Sequence, residues 1–122
     1  MCLTAMAAAA LPASAAGATA IQLHVDLEVD PAKEKELASN FEKVFRPAIS
    51  KQPGFVEVKL LKLRSVPVGK ASGSWNHRLL ISFQTEEQRQ KWVAHDDHQR
   101  AWPAIEKTLK GAKFGALLYD LL

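Results

Sequence analysis

The order in which two kinds of hydrophobic periodicity follow one another limits the fold of this sequence most. From Ile21 to Val29 apolar and polar side chains alternate strictly, which is typical of a strand with one buried face. A helical pattern follows over Pro31 to Lys51, with Asp30 as its predicted N-cap. Pro53-Gly54 is a pair typical of a turn, and it predicts the end of this helix.

Two further strands and a second helix are predicted next. Strand two covers Phe55 to Arg64, where a change of phase at Leu61 indicates a bulge or a strand covered on both faces. Strand three covers Asn76 to Phe83 after a loop rich in Gly, Ser and Pro. A capping box at Thr85 starts the second helix, and Asp96-Asp97 is expected to interrupt it.

The C-terminal part is predicted to hold one more helical stretch and one more strand. Asp96-Asp97 is expected to cap the stretch, Pro103 to kink or restart it, and Leu109 still to belong to it. Lys110-Gly111 is expected to end the helix. The last strand is predicted over Gly115 to Leu122.

The resulting order is β-α-β-β-α-β, which predicts one α+β domain of ferredoxin-like topology. In this fold an antiparallel sheet carries both helical regions on one face, and the last strand lies at an edge. That strand is apolar on both faces, and an apolar edge needs cover. A homodimer is therefore predicted, and a strand covered by its own helices is the alternative. The apolar residues are Ala116, Leu117, Leu118, Tyr119, Leu121 and Leu122.

The first part of the chain differs sharply in composition from the rest. Residues 1–20 contain no charged side chain, and the domain is predicted over 21–122. An apolar run followed by Ala13 and Ala15 resembles the end of a signal peptide, although no basic residue precedes the run. Export to the periplasm or medium is expected, and a cytoplasmic location if the leader does not function. The run is too short for a permanent membrane span.

Charge and composition argue against several function classes. The net charge is +3, and the positive residues are scattered among acidic ones, so nucleic-acid binding is not expected. Cys2 is the only cysteine and falls in the leader. Because no phosphate-binding or nicotinamide-binding pattern occurs either, no cofactor is expected.

The densest group of chemically useful side chains lies between Trp92 and Trp102. His95 is three residues from both Trp92 and His98, so on a continuous helix these side chains would share a face. Three interpretations stay open: core tryptophans with exposed histidines, a ligand pocket, and a metal site. Two histidines without a third ligand are weak evidence for a metal.

Other candidates lie on the strands and the first helix. His24 is on the polar face of strand one and faces solvent, a pocket or a partner. Arg78 pairs with Asp26 or holds an anionic ligand, and His77 is expected at the surface. Phe45, on the apolar face of the first helix, is a candidate for substrate binding.

The stretch Glu86 to Trp102, with His95-Asp96-Asp97-His98 after Trp92, resembles the antibiotic-biosynthesis-monooxygenase family. Lys51-Gln52-Pro53-Gly54-Phe55 is similar to the turn into that family's second strand. The resemblance covers residues 21–122 and implies a dimeric α+β barrel with a pocket in each subunit. Some members oxygenate quinol-type aromatics without metal or flavin, and a related branch degrades heme with an Asn on strand one, which is missing here.

Three hypotheses follow. In the first, the protein is a cofactor-independent monooxygenase of a small phenol or quinol: Trp92 stacks on the substrate, His98 or His95 is the base, and His24 or Arg78 orients the anion. Trp102 and Phe45 complete the substrate site. In the second, it is an exported dimer that binds a small molecule or serves a stress response without turnover. In the third, it handles heme.

Overall fold

The computed structural model describes residues 19–122. Its strands are β1 (Ile21–Val29), β2 (Phe55–Lys62), β3 (His77–Phe83) and β4 (Leu109–Asp120). Its α-helices are α1 (Glu34–Asn40), α2 (Arg46–Ser50), α3 (Glu86–Ala94) and α4 (Asp96–Glu106). The predicted leader lies outside the described residues except for Thr19 and Ala20, so export stays a prediction.

The four strands form one antiparallel sheet in the order β2-β3-β1-β4. β1 lies inside the sheet, where Val25 is opposite Leu79 of β3 on one side and Ala116 of β4 on the other. The helices pack on one face of this sheet, which confirms the predicted α+β ferredoxin-like arrangement.

The alternation along β1 decides which face is covered. Ile21, Leu27 and Val29 are buried in the same apolar core as the helices. The intervening side chains, such as those of His24 and Asp26, belong to the other face of the sheet, which is called the outer face below. The unbroken alternation of apolar and polar residues in the sequence therefore predicts which face of the sheet each side chain of β1 occupies.

The predicted first helix is present but is divided. A 3-10 turn at Pro31–Lys33 opens it, and a π-helical segment at Phe41–Phe45 joins α1 to α2. Pro47 explains the wide turn, because it has no N–H for the carbonyl of Lys43 and its ring crowds that carbonyl. The N–H of Arg46 donates instead to the carbonyl of Phe41.

Two of the three predicted N-terminal caps are present. The side chain of Asp30 accepts a hydrogen bond from the N–H of Ala32 at 3.0 Å. The hydroxyl of Thr85 accepts one from the N–H of Gln88 at 3.1 Å.

The predicted position of the bulge in β2 is wrong. The register against β3 shifts between Phe55 and Glu57, and not near Leu61. The shift turns Val56 away from the core and leaves it 54% exposed, while Leu61 remains exposed on the outer face.

The predicted end of the last helix is also wrong. α4 continues through Pro103 and ends at Glu106, and Leu109 already belongs to β4. Gly111 has φ +59° and Ala112 φ +55°, within a stretch where the pairing of β1 with β4 is irregular. Gly111 therefore serves a distortion within a long strand, and not the end of a helix.

His77 is buried and not at the surface as predicted, with only 8% of its area exposed. Its Nε2 lies 2.9 Å from a carboxylate oxygen of Glu34, and its Nδ1 lies 2.9 Å from Oδ1 of Asn76. Hydrogen bonds from Lys62 and then from His77 lower the pKa of Glu34, so this carboxylate is ionised and accepts.

Asn76 holds the His77 ring in place. Its Oδ1 accepts from the N–H of Val29 at 2.8 Å, and its Nδ2 donates to the carbonyl of Val29 at 2.9 Å. Because both ring nitrogens of His77 lie within hydrogen-bond distance of an oxygen, the buried ring is fixed between Asn76 and Glu34.

We predict that Asn76→Ala lowers the free energy of unfolding by about 3 kcal/mol, because three hydrogen bonds are lost around a buried backbone. Ser74→Ala is the matched control, since the exposed Ser74 bonds only to Glu28 and its loss should cost less than about 0.5 kcal/mol. Urea unfolding measures both values, and equal values for the two variants would contradict the role given to Asn76.

Candidate functional site

The helical region after β3 is broken at His95, and this break shapes the site. His95 has extended backbone angles (φ −78°, ψ 148°) between α3 and α4. Its N–H bonds to the carbonyl of Trp92 at 3.0 Å, and its Nδ1 accepts from the N–H of Asp97 at 2.9 Å. His95 itself is thus the N-cap of α4, a role that the sequence interpretation had given to the Asp pair.

Asp97 fixes the start of α4 against the end of the first helical region. Its buried carboxylate accepts from Gln52 at 3.0 Å and also pairs with Lys51 and Arg100. Burial alone would raise the pKa of Asp97, but Lys51, Gln52, His95 and Arg100 together lower it.

A cavity of about 280 Å³ lies between the helices and the sheet. Among the described residues, its lining contains no charged side chain and a single titratable residue, His98. The other lining side chains are aliphatic or aromatic and come from β1, β3, β4 and the helical regions. They are Leu23, Val25, Phe45, Leu79, Ile81, Trp92, Val93, Trp102, Phe114 and Ala116.

Aromatic rings surround His98 in the cavity. Its ring meets the ring of Trp92 at a centroid distance of 5.0 Å and an angle of 80°. It lies nearly parallel to the ring of Trp102, with centroids 6.4 Å apart. Phe45 packs edge-on against Trp92 at 5.9 Å, and Phe114 against Trp102 at 4.9 Å. The cavity thus offers flat walls on which an aromatic ring can stack.

Burial gives His98 its electrostatic character. Desolvation lowers the pKa of this imidazole, so it is neutral near pH 7. Its Nδ1 is buried and has no hydrogen-bond partner among the described residues. Nε2 is therefore the nitrogen left for a ligand.

The structure brings four of the seven predicted site residues together. Trp92, His98, Trp102 and Phe45 all line the cavity. His95 does not: the helix break removes it from the face of Trp92, and its side chain is 50% exposed. The expectation that Trp92 and His95 share a helix face is therefore wrong.

His24 and Arg78 lie on the outer face, away from this cavity. Arg78 Nε donates to Asp26 at 2.7 Å, which confirms the predicted pair. His24 Nε2 lies 2.8 Å from Oε1 of Gln22, and its ring contacts Tyr119 at 4.7 Å. Burial lowers the pKa of His24, Arg78 lowers it further, and Asp26 acts in the opposite direction. Both side chains are thus separated from His98 by the sheet.

A wider groove of about 520 Å³ lies on the outer face beside Asp26 and Arg78. Its walls come largely from the loop after β2, including Arg64, Lys70 and Trp75. It is larger than the inner cavity, but its histidine, His77, is already bonded to Glu34 and Asn76 and is not flanked by two tryptophans, so the chemistry is assigned to the inner cavity.

Sequence reasoning missed seven of the lining residues, which are Leu23, Val25, Leu79, Ile81, Val93, Phe114 and Ala116. Phe114 and Ala116 share the inner face of β4, two residues apart. Side chains two residues apart along a strand lie on the same face, so Leu118 places Ala116 and Phe114 on its own face. Phe114 fell outside the predicted strand, which began at Gly115, whereas β4 begins at Leu109.

Two other features are absent from the part of the chain that the structure describes. Within 19–122, no group of three or more His, Cys, Asp or Glu side chains is placed to hold a metal ion. No helix in that range is long and apolar enough to cross a membrane.

Comparison with solved structures identifies the fold. A candidate antibiotic biosynthesis monooxygenase from Caulobacter crescentus matches with a TM-score of 0.68 and 19% identity, over 86% of this chain and 92% of that one. SnoaB, a cofactor-independent oxygenase from Streptomyces nogalater, matches at 0.65 and 17%, over 84% and 92%.

A dimeric ferredoxin-like protein of unknown function from Jannaschia matches at 0.65 and 18%, over 84% and 98%. No protein-family model and no curated protein matches the sequence. At these identities the likeness concerns the fold. This chain therefore shares the ferredoxin-like fold of structures that include antibiotic biosynthesis monooxygenases, as its sequence resemblance predicted.

We predict that burial of neutral His98 makes the protein less stable in mild acid. Because its folded pKa is lowered, the stabilisation is complete above the unfolded value of about 6.5 and is lost as pH falls below it. His98→Phe removes the titration, so the stability difference between wild type and variant should change between neutral and mildly acid pH. Urea unfolding at several pH values measures this, and a pH-independent difference would contradict the burial of His98.

Proposed function

We propose that the protein is a cofactor-independent monooxygenase of a small phenol- or quinol-type aromatic. One observation carries the proposal: a half-buried, neutral His98 stands between Trp92 and Trp102 in an otherwise apolar cavity. Trp92 and Trp102 would stack on the ring, and Phe45 would complete the wall behind Trp92.

His98 would act as the general base. Its neutral Nε2 would accept the proton of the substrate hydroxyl, while Nδ1 stays buried. A lowered pKa keeps His98 in the base form but also makes it a weaker base. The favoured substrates are therefore those with an acidic hydroxyl, such as quinols conjugated with a carbonyl group.

The substrate anion itself would reduce dioxygen. One electron passes from the anion to O₂, the two radicals combine at a ring carbon that bears hydrogen, and protonated His98 returns its proton to the peroxide. Loss of water from this hydroperoxide, with the hydrogen of that carbon, leaves a new carbonyl. One oxygen atom enters the product and the other leaves as water, with all four electrons supplied by the substrate. The protein would contribute orientation, removal of water and the base.

The comparisons support this proposal through shared fold. SnoaB is described as a cofactor-independent oxygenase, and its structure covers most of this chain. At 17% identity, the likeness to SnoaB does not carry its activity over to this chain. The proposed activity therefore rests on the residues of this chain's own cavity.

A binding protein without turnover is the second candidate. One observation favours it: within residues 19–122, His98 is the only titratable group in the lining, and no second such residue there could orient the reacting anion. Such a protein would use the same walls and would need no base.

We propose in addition that the chain forms a homodimer through β4. This strand lies at the edge of the sheet and is exposed on both faces, with Phe114 and Leu118 on the inner face and Leu117 and Tyr119 on the outer face. A second copy related by a two-fold axis would cover this apolar edge. The Jannaschia protein of the same fold is described as dimeric.

We predict that the protein consumes oxygen with one or more members of a panel of quinols, above the rate of spontaneous oxidation. His98→Gln should lower kcat by about 100-fold or more, since a general base contributes about 10²–10⁴. Because only neutral His98 is active, kcat/KM should rise with pH and level off above a pKa lower than about 6.5. An oxygen electrode measures both.

His95→Asn is the matched control, because Asn retains a capping side chain at the start of α4. It should change kcat far less than His98→Gln does. Equal losses in the two variants would sink the assignment of His98 as base, and tight binding without oxygen uptake would favour the second candidate.

We predict that Leu117→Lys combined with Tyr119→Lys converts the dimer to a monomer, because two charges would be placed on an apolar contact. Sedimentation velocity measures the mass. Lys59→Ala combined with Glu57→Ala, on the opposite edge strand β2, is the control and should leave the dimer intact. A wild type that sediments as a monomer would refute the proposal.

A further inference from the structure

The groove on the outer face has an excess of positive charge, which the inner cavity lacks. Its lining holds one acidic side chain, that of Asp26, and four cationic ones, those of Lys62, Arg64, Lys70 and Arg78. The proposed reaction uses none of them. Because no charged residue within 19–122 lines the inner cavity, the two concave sites favour different ligands.

Arg78 offers donors to an anion at the floor of the groove. Its Nε donates to Oδ1 of Asp26 at 2.7 Å, which fixes the guanidinium on the sheet. Its two terminal nitrogens donate to no other residue that the structure describes, and its side chain is 41% exposed. A guanidinium has several N–H donors in a planar fork, so a carboxylate can bind to Arg78 while the bond to Asp26 stays in place.

Two further cations of the groove have no acidic partner. Arg64 and Lys70 are exposed and form no salt bridge in the described part of the chain. Lys62, by contrast, is paired with Glu34 at 2.9 Å. Once the two ion pairs are counted as neutral, two positive charges remain at the groove, and their field favours a negatively charged ligand.

Trp75 supplies an aromatic wall. A side-chain carbon added to Gly115, which lies opposite Asp26 in the sheet, would be 3.5 Å from the indole. The indole therefore lies over the backbone of the outer face, next to the floor of the groove. Leu63 and Val66, from the same loop, add exposed apolar surface to the lining. The groove thus combines cations with a wall that favours an apolar group.

The loop that forms this wall is fixed at its base. The N–H of Leu63 donates to the carbonyl of Asn76 at 2.9 Å, and the N–H of Asn76 donates to the carbonyl of Leu27 in β1 at 2.9 Å. Arg64 follows the first of these residues and Trp75 precedes the second, so both are tied to the sheet through a neighbour. A site whose walls are held before the ligand arrives loses less entropy on binding.

We propose that the outer groove is a second binding site, which takes an organic anion with an apolar body, such as an aromatic carboxylate. The carboxylate binds to the terminal nitrogens of Arg78, in the field of Arg64 and Lys70, and the apolar body lies against Trp75. The volume of about 520 Å³ suits a drug-sized ligand, since such ligands occupy about 300–1,000 Å³. The lining includes no residue of β4, the edge through which the dimer is proposed. This site does not rest on the proposed function.

The test measures the affinity for 2-naphthoate by isothermal titration calorimetry. Arg64→Gln combined with Lys70→Gln should weaken binding by about fivefold or more, because two positive charges near the carboxylate are lost. Lys35→Gln combined with Lys43→Gln is the matched control. It removes the same charge from two exposed lysines of the first helical region, on the other face of the sheet, so the affinity should change less than about twofold.

Two further measurements test the charge and the place of binding. The neutral 2-naphthamide should bind at least about tenfold more weakly than 2-naphthoate, because it forms no ion pair with Arg78. In an NMR titration with 2-naphthoate, the indole N–H signal of Trp75, assigned by its loss in Trp75→Phe, should shift. The signals of Trp92 and Trp102 should not, because both line the inner cavity.

The proposal is overturned if 2-naphthoate does not bind, if the two double variants bind it equally well, or if 2-naphthamide binds as tightly. A shift of the Trp92 and Trp102 signals in place of that of Trp75 would also overturn it. A second copy that covers the outer face would appear as the first of these results. Thermal unfolding and sedimentation establish that all variants are folded and in the oligomeric state of the wild type.

These measurements involve no turnover and no ligand in the inner cavity. Binding of 2-naphthoate at Trp75 without oxygen uptake from quinols would refute the monooxygenase proposal and leave the outer site intact. Oxygen uptake from quinols without binding of 2-naphthoate would do the reverse.

Discussion

The pairing of β1 on both sides is the constraint on which the rest of the structure depends. β3 and β4 are not neighbours of each other, and β1 holds them together in one sheet. Its alternating side chains divide the molecule into a helix-covered face and an outer face. Leu23 and Val25 form part of the floor of the cavity, while His24 between them points to the other face. The same alternation that builds the core thus separates His98 in the cavity from His24, Asp26 and Arg78 on the outer face.

The parts of the fold that depend on local patterns could be predicted from the sequence. β1 was predicted with the observed bounds because its alternation is unbroken, and the caps at Asp30 and Thr85 follow from side chains next to the backbone they bind. Predictions were wrong where one residue type is compatible with two different local structures. Gly111 is typical of a helix end, but here its positive φ distorts the long strand β4. His77 follows a polar loop, but contacts with Asn76 and Glu34 bury it.

The candidate site was predictable only in part, because a cavity is made by segments distant in the chain. Trp92, His98 and Trp102 were predicted because they lie close together in one stretch of sequence. The break in the helix was predicted as well, but its cap was assigned to Asp96-Asp97 instead of His95. Phe114 and Ala116 reach the site only because β4 lies beside β1. No sequence pattern near His98 predicts that these two residues line the cavity. The same long-range pairing makes β4 an exposed edge and one wall of the inner cavity.

The central claim is that an aromatic ligand lies in the inner cavity against Trp92 and Trp102, with its hydroxyl at His98. A crystal structure of the protein with 2-naphthol tests it most directly. The account predicts electron density for the ring system inside the inner cavity, with its oxygen within hydrogen-bond distance of His98 Nε2. Density in the outer groove beside Asp26 and Arg78, with the inner cavity unchanged, would contradict it.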